Sequence, residues 1–296
     1  MNVKNKKILI FGSSGFLGQH LVSLLKEDNE IIQFDINPLE DRMSDSNFIQ
    51  GSILDKGLVL TATKGVDIVY HFAAMTDLDI VNNNPAKAIE VNIAGTSNIL
   101  DACMKENVER FIFSSSVYVY SQSGGVYKST KQACELLIED YDKMHGLNYT
   151  ILQLGSVYGP GATQTNLISR LIFEALTQSE IQHYGTGEEI RHYLFVKDVV
   201  NVAKDLMNVK FNKRKIILMG NERKTISQLM DEIISQTDLN SQKVFKENDY
   251  DIHYKTSPFH TKPNGAIDYN IESPTSISMG LKETILFLQS ELAKQG

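Results

Sequence analysis

Cysteine is scarce in this 296-residue chain, which carries only Cys103 and Cys134. Both fall inside amphipathic helical patterns, so a disulfide framework is not indicated and two buried, inert thiols are expected. Long apolar runs are missing too, and none approaches the ~20 residues of a membrane span. The opening "MNVKNKKILIFG" has a basic lead, but its apolar stretch is too short for a signal peptide and reads as a first strand. Positive charge is not in excess: 29 Lys and Arg face 36 Asp and Glu, for a net charge of -7. An acidic chain is a poor match for nucleic acid or an anionic membrane, although a local basic pocket for a phosphate is compatible with it. Internal repeats and low-complexity tracts are absent, and no metal site is expected. Together these absences point to the cytoplasm.

What is present supports a large core in one or two domains, with 42% of residues hydrophobic. The first half alternates strand-like and helix-like segments. "KKILIFG" is a continuous apolar run of the kind a buried parallel strand needs. "GFLGQHLVSLLKED" follows with apolar residues at helical spacing. "EIIQFD", "FIQGS", "VDIVYHFAA", "RFIFSSS" and "YTILQLGSVYG" read as further strands, the last with an exit loop. Long helices are expected over about 85–106 and 127–145, the second stopping at Gly146. This order predicts an α/β fold with a Rossmann-type doubly wound parallel sheet. Beyond about Gly161 the pattern loosens. Helices are expected at "TNLISRLIFEALTQ", "VKDVVNVAKDLMNV", "TISQLMDEIISQ" and about 278–294, with "KIILMG" a strand, and 240–275 resist assignment. The expected division is a dinucleotide-binding domain over 1–162, with a return segment near 193–210, and a smaller α/β substrate domain over 163–296.

"FGSSGFLG" places Gly12, Gly15 and Gly18 between a strand and a helix. In that context Gly12 allows the tight turn, Gly15 lets the backbone approach a pyrophosphate, and Gly18 lets the helix pack on the sheet. The helix N-terminus then offers free amides to phosphates. Asp35 ends the second strand, where a carboxylate accepts both adenosine ribose hydroxyls and repels a 2′-phosphate, favouring NAD over NADP. The alternative is a glycine-rich turn with a capping aspartate.

"SSSVYVYSQSGGVYKSTK", residues 114–131, is dense in hydroxyls. A tyrosine acting as a base needs a lowered pKa, and an ammonium one helical turn away favours its phenolate. Four residues after Tyr118 stands Gln122, and four after Tyr120 stands Gly124, whereas four after Tyr127 stands Lys131. The spacing therefore selects Tyr127. Tyr120 reads as packing, and Tyr118 is placed to face a pocket. Ser116, last before the loop at the carboxyl end of its strand, is the hydroxyl expected to share a hydrogen bond with Tyr127 and a substrate oxygen. Ser114 and Ser115 are structural or near the cofactor.

These residues resemble the extended short-chain dehydrogenase/reductase superfamily, in its NAD-dependent epimerase/dehydratase branch. The resemblance rests on "GSSGFLG", Asp35, "HFAA" at 71–74, "VNIAGTSNIL" at 91–100, "SSSVYVY" before "YKSTK", "GSVYGPG" at 155–161 and "IRHYLFVKDVV" at 190–200, in family order. It implies that Phe72, Ala73 and Ala74 line the cofactor, that Asn92 supports it, and that Phe16, Leu17, Ser52, Ile53, Ser114 and Leu154 surround it. His71 is expected to be structural. Tyr127 is implied as acid/base, Lys131 as holder of the nicotinamide ribose, and Ser116 as the group orienting the substrate oxygen. Thr76, Ser156, Asn166 and Leu167 are implied on the substrate side. Arg191 is implied at a diphosphate, where a guanidinium binds two oxygens at once; its alternative is a surface ion pair with Glu188 or Glu189. A homodimer through the two long helices is also implied, with Ile89, Ile93, Leu100, Leu136 and Leu137 serving core or interface.

Departures narrow the expectation. Sugar-nucleotide 4,6-dehydratases carry an Asp-Glu pair where this chain has Val117 and Tyr118, which disfavours dehydration. The loop "SQSGGV" is short for the family. Ser52 replaces a usual acidic residue, and no arginine follows Arg223, leaving Lys255, His260 or Lys262 as substitutes at a diphosphate. The expected activity is NAD-dependent 4-epimerisation of a nucleotide-linked sugar, by transient oxidation at carbon 4 and hydride return. A net dehydrogenase or 4-keto reductase with the same three residues is the alternative, and a non-catalytic NAD-sensing protein a remote one.

Overall fold

The computed structural model describes residues 4–39, 47–237, 239, 241–247 and 265–295. Its centre is an eight-stranded, wholly parallel sheet. The strands are β1 (Lys7–Phe11), β2 (Glu30–Asp35), β3 (Phe48–Gln50), β4 (Ile68–His71), β5 (Arg110–Ser116), β6 (Tyr149–Leu154), β10 (Arg214–Leu218) and β13 (Ala266–Asp268). Their spatial order is β13-β10-β6-β5-β4-β1-β2-β3. The chain starts at β1 and winds outward in both directions, so a switch point falls between β1 and β4, where open sheets bind ligands.

Strand alternation separates two cores. Ile8 and Ile10 of β1 face helices α1 (Phe16–Leu25) and α8 (Val196–Asp205), with Leu21, Leu25, Val199 and Ala203. Leu9 and Phe11 face the other layer: α2 (Lys56–Thr63), α5 (Gly95–Lys105) and α6 (Gly125–His145). Buried on both faces, β1, β4 and the first half of β5 read as largely apolar runs, which is why they were legible without alternation.

Before α5 the chain passes through α3 (Leu78–Asn83) and α4 (Pro85–Ile89), and then a π-helical turn at Glu90–Ala94. The single helix expected over 85–106 is thus interrupted by a wider turn. The expected exit loop after β6 also contains structure: with only Gly155 between, the chain passes from Leu154 into β7 (Ser156–Tyr158). Helix α7 (Leu167–Thr177) leads to β8 (Glu180–Tyr184) and β9 (Ile190–Phe195). After β10 come β11 (Arg223–Thr225), α9 (Ile226–Ser235) and β12 (Gln242–Lys246), and the chain closes with α10 (Ile277–Gln295). Strands β11-β9-β7 form a second sheet and β12-β8 a parallel pair. A third core, with Tyr158, Leu171, Phe195, Leu229 and Leu281, joins β7 and β9 to α7, α9 and α10. Downstream of 163, α8, β10 and β13 all return to the large sheet, a longer return than 193–210. Among the described residues no helix is long and apolar enough to cross a membrane.

The small sheet approaches the carboxyl ends of β6 and β10 through glycine. A Cβ on Gly220 would lie 1.9 Å from the Tyr193 carbonyl oxygen of β9. Backbone cannot yield as a side-chain tip can, so Gly220→Ala is expected to destabilise the fold by roughly 1–3 kcal/mol, the usual cost of overpacking. Urea unfolding beside wild type checks this, and unchanged stability would show that β9 has room to retreat.

Candidate active site

The crevice at the switch point is built on main-chain contacts. The Phe11 carbonyl accepts from the amides of Phe72 (2.9 Å) and Ala73 (3.0 Å), which fixes the exits of β1 and β4 side by side. Gly12 follows at φ +83°, and a Cβ there would lie 2.6 Å from the Ala73 nitrogen. A Cβ on Gly18 would lie 2.1 Å from the Gly12 carbonyl oxygen. Turn, helix and strand exit thus meet at distances that only glycine permits. Gly15 stands at the N-cap of α1 without a side-chain cap, leaving first-turn amides available to an anion. The Ser13 and Ser14 hydroxyl oxygens are buried without a hydrogen-bond partner among the described residues. Beside them, Asp35 accepts from the amides of Ser14 at Oδ2 (2.9 Å) and Asn37 at Oδ1 (3.0 Å). Its remaining lone pairs suit two adjacent ribose hydroxyls. Cradle, orphan hydroxyls and carboxylate fit a dinucleotide.

The other predicted cofactor residues divide between this crevice and the core. Phe16 meets His20 edge-on, and Leu17 packs on the first core. Ser52 Oγ accepts from the Leu54 amide at 3.2 Å. Ile53 and Leu154, 5% and 7% exposed, are core side chains. Phe72 stacks at a tilt on Tyr70, and Ala73 and Ala74 follow at half-buried positions.

The hydroxyl-rich stretch takes its shape from β5, whose seven residues are all buried. Ser116, at its end, accepts from the Tyr118 amide at 3.2 Å and caps a one-turn 3₁₀ helix, Val117–Tyr120. The chain reverses through Gly124 (φ +102°) and Gly125 (φ +49°) into α6. There Asn82 Oδ1 accepts from the Val126 amide at 2.9 Å, satisfying one of the free first-turn donors. Tyr127 follows, its phenol beside the Ser116 hydroxyl. One turn on, Lys131 is 3% exposed, and its Nζ donates to the Ser114 carbonyl at 2.8 Å. Nζ lies 4.6 Å from the Phe113 ring centroid and 5.9 Å from that of Tyr127. Tyr118 meets Tyr127 edge-on, centroids 6.1 Å apart. Ser114, Ser116, Tyr127 and Lys131 therefore converge at the carboxyl end of β5. Tyr120 instead donates to Gln153 Oε1 at 2.6 Å, a packing role.

Burial pushes the Tyr127 phenol up to about 12, the Ser116 hydroxyl pulling it back and Cys134 adding to the rise. Burial lowers Lys131 to about 8, against the raising influence of Cys134 and Glu135. The lowered phenol expected from the Tyr127–Lys131 spacing is thus not what this balance gives. The ammonium spends its hydrogen bond on the Ser114 carbonyl, and desolvation of the phenol dominates.

Asn92, in the π turn, fastens this corner. Its Oδ1 accepts from the Met75 amide (2.8 Å), and its Nδ2 donates to the Met75 carbonyl (3.0 Å) and to Thr130 Oγ1 (3.1 Å). Thr130 in turn donates to the Tyr127 carbonyl at 2.8 Å. Asn92 thus supports the site by joining the loop after β4 to the turn between Tyr127 and Lys131. Sequence reading passed over Thr130 and Asn82, although Thr130 stands inside "YKSTK" and Asn82 in the polar "VNNNP" before a helix. His71 is 1% exposed and bonds Thr96 Oγ1 at 2.9 Å, while its Nδ1 has no partner among the described residues. Burial and the nearby Lys131 ammonium lower its pKa to about 3.

The predicted substrate residues lie on different elements. Thr76 is exposed, just ahead of the α3 cap Asp77. Ser156 opens β7 opposite Tyr193 of β9. Asn166 caps α7, accepting from the amides of Ile168 (3.1 Å) and Ser169 (3.4 Å) and donating to the Val157 carbonyl at 2.8 Å. Leu167 packs on the third core. Arg191 is 9% exposed within β9, and its Nη1 donates to the Ile190 carbonyl at 3.2 Å. Glu189 binds the Thr186 and Gly187 amides and His183. Lys255, His260 and Lys262 lie outside the described residues. Among the described residues no group of three or more His, Cys, Asp or Glu side chains is placed to hold a metal.

A glycine cradle at the switch point, a carboxylate ending the second strand and a Ser-Tyr-Lys cluster are the features of a Rossmann-type dinucleotide enzyme of the extended short-chain dehydrogenase/reductase class. The chain belongs to the NAD dependent epimerase/dehydratase family, whose model matches residues 8–220, and NAD is its cofactor. It is 29% identical over 236 residues to a trifunctional UDP-glucose 4,6-dehydratase/UDP-4-keto-6-deoxy-D-glucose 3,5-epimerase/UDP-4-keto-L-rhamnose-reductase of Arabidopsis thaliana. That match covers 69% of this chain but 35% of the plant protein, so the chain spans about a third of its relative's length. It is also 29% identical over 257 residues to dTDP-D-glucose 4,6-dehydratase of Bos taurus, covering 77% of this chain and 72% of the other. A UDP-glucose 4-epimerase of Thermotoga maritima, solved with UDP-glucose, superposes at TM-score 0.83 and 24% identity over 97% of this chain and 99% of the other, a likeness of fold.

His71 yields a prediction with a definite sign. Its folded pKa of about 3 lies below the ordinary 6.5, so only the unfolded chain takes up the proton between those values. The stability from keeping His71 neutral is complete above 6.5 and is lost as pH falls toward 3. Unfolding free energy is expected to fall more steeply over this window in wild type than in His71→Asn, by up to about 1.4 kcal/mol per pH unit. Parallel slopes in urea titrations at stepped pH would count against a neutral buried imidazole.

Proposed function

We propose that this chain is an NAD-dependent epimerase of a nucleotide-linked sugar, acting at sugar carbon 4. One observation carries the reading: Ser116, Tyr127 and Lys131 converge beside the NAD cradle with no carboxylate at 117 or 118. Bound NAD supplies the acceptor, and then the donor, of the carbon-4 hydride. In the proposed cycle the Tyr127 phenolate takes the proton of the sugar 4-hydroxyl and, once the 4-keto sugar has turned its other face to the cofactor, returns it to the carbon-4 oxygen. The protein lowers the cost of that phenolate through the Ser116 hydroxyl, which favours the charged form. Ser116 also lies where it can bridge Tyr127 and the substrate oxygen. Lys131 keeps a positive charge under the site while its position is fixed by the Ser114 carbonyl. Asn166, Leu167 and Arg191 are assigned to the nucleotide and its diphosphate, and Thr76 and Ser156 to the sugar side. In this assignment residues 1–162, with the return near 193–210 lengthened by β10 and β13, form the cofactor half and the rest of 163–296 the substrate half.

Dehydration is disfavoured, although relatives bear that name, because Val117 is an apolar side chain 1% exposed and Tyr118 carries no carboxylate. Neither removes a carbon-bound proton as a carboxylate does. The second reading, a net dehydrogenase or 4-keto reductase, draws support from the reductase activity in the plant relative's name. Steady-state NADH formation or consumption would favour it. Interconversion of two sugars with NAD retained through purification supports the epimerase.

Tyr127→Phe removes one oxygen from a partly buried ring. It is expected to fold, to keep NAD and to lose turnover by a factor of roughly 10²–10⁴, the usual contribution of a positioned acid/base. NMR of a UDP-, GDP- and dTDP-sugar panel reads this, and a variant retaining most of its activity would sink the assignment.

We also propose a homodimer across α4 and α6. Ile89 and Leu136 are 50% and 61% exposed, whereas Leu100 is fully buried and Ile93 and Leu137 lean on the core. Two large apolar side chains left outward on neighbouring helices suit a partner surface. Leu136→Glu is expected to convert a dimer into a monomer by light scattering, and an unchanged mass would remove α6 from the interface.

A further inference from the structure

Behind the candidate site lies a buried polar cluster that the proposed chemistry does not use. Glu135, one turn beyond Lys131 on α6, is 5% exposed. Its Oε1 accepts from Ser115 Oγ at 2.5 Å and from Gln153 Nε2 at 2.9 Å, and Gln153 Nε2 reaches Oε2 at 3.1 Å. Lys215 Nζ, on β10, lies 3.3 Å from Oε2 and 2.8 Å from Glu139 Oε1. Burial works against the Lys215 charge, yet the Glu139 and Glu135 carboxylates outweigh it, and its pKa is raised. Gln153, on β6, accepts from the Tyr120 hydroxyl at 2.6 Å. One carboxylate thus links α6 to β5, β6, β10 and the 3₁₀ turn.

Its partners in sequence give the linkage meaning. Ser115 immediately precedes Ser116, and Tyr120 ends the 3₁₀ turn that Ser116 caps. Glu135 therefore holds both flanks of the segment 115–120, one directly and one through Gln153, while its own helix carries Tyr127 and Lys131. We infer that Glu135 is a positioning residue, setting the hydroxyl of Ser116 against that of Tyr127 through the Ser115 and Gln153–Tyr120 arms. It touches neither hydroxyl itself. A bare structural ion pair would need only Lys215. The two hydrogen-bonded arms ending on either side of Ser116 are what a stability role leaves unexplained. A misplaced catalytic group costs rate even when binding is intact, and a half-satisfied buried network is where such misplacement arises.

The inference rests on the proposed function for its activity readout, and the test separates the two. Glu135→Gln keeps the shape, removes the charge and sets an amide against Gln153. In the NAD-bound enzyme it is expected to lower kcat roughly tenfold or more while KM and NAD content stay within twofold, the split expected for a group acting on the reacting geometry alone. Glu139→Gln, which removes only the outer partner of Lys215, is expected to leave kcat unchanged. If Glu135→Gln fails to fold, Ser115→Ala and Tyr120→Phe each cut one arm and keep the ion pair, and each is expected to lower kcat with KM unchanged. A folded Glu135→Gln with kcat within twofold of wild type, or two silent arm variants, overturns the inference.

A wild-type protein that turns over no sugar in the panel instead sinks the proposed function. The positioning claim is then read without substrate, from the phenolate absorbance of Tyr127 as the difference between each protein and its Tyr127→Phe form. The groups around that phenol are Ser116 and Tyr118 from the strand exit, Lys131 and Cys134 from α6, and His71 beyond Lys131 on β4. Withdrawal of the Ser116 hydroxyl from the phenol moves the Tyr127 titration up, whereas loss of a nearby negative charge alone moves it down. An upward shift in Glu135→Gln supports positioning, and a downward or absent shift overturns it.

Discussion

A lysine head on a main-chain carbonyl is the constraint around which the site is arranged. The Lys131–Ser114 bond spans the gap between α6 and β5, buried on both sides. Taking an ammonium out of water is costly unless it is hydrogen-bonded, and the lowered Lys131 pKa expresses that cost. The cost fixes a distance: α6 can neither slide nor rotate without stranding the charge. Tyr127, one turn earlier, inherits that fixed position, and Ser116, two residues beyond the accepting carbonyl, inherits the other half of the geometry.

Around this bond the surrounding polar side chains act as spacers. Asn92 and Thr130 join the loop after β4 to the first turns of α6, and Asn82 joins α3 to its N-terminus. Glu135 closes the opposite side. On the NAD side the spacing is set by missing atoms, since Gly12 and Gly18 let backbone meet backbone. The two halves use opposite means, hydrogen-bonded side chains on one and absent Cβ atoms on the other, to hold a crevice between β1 and β4.

Much of this was legible in the sequence, and the legible parts share a cause. The buried strands declare themselves as apolar runs because both their faces are covered, and Gly12, Asp35, Tyr127 and Lys131 stand at spacings that local geometry explains. Sequence reading was weakest where the answer depends on tertiary partners. The π turn at 90–94 looks like ordinary helix in sequence, since nothing local distinguishes an extra residue per turn. Strand β7 hid in an expected exit loop because three residues become a strand only when β9 lies beside them. The direction of the Tyr127 shift was missed for the same reason: spacing reports the nearby lysine but not the carbonyl that occupies it, nor the depth of burial. Asn166, assigned to a nucleotide, also proves to be the cap that α7 needs.

The π turn has a further meaning in terms of phase. Each residue of an α-helix advances the chain by about 100°, and a π turn takes in one residue more than an α turn. Residues before Glu90 and after Ala94 are therefore out of step on what looks like one rod. Across this turn Ile89 stands half exposed and Ile99 fully buried, and Asn92 within it reaches the Met75 loop and Thr130 together. At this place chain length acts as an angle. Adding or removing one residue between 90 and 94 would turn the face of α4 by about 100° against α5.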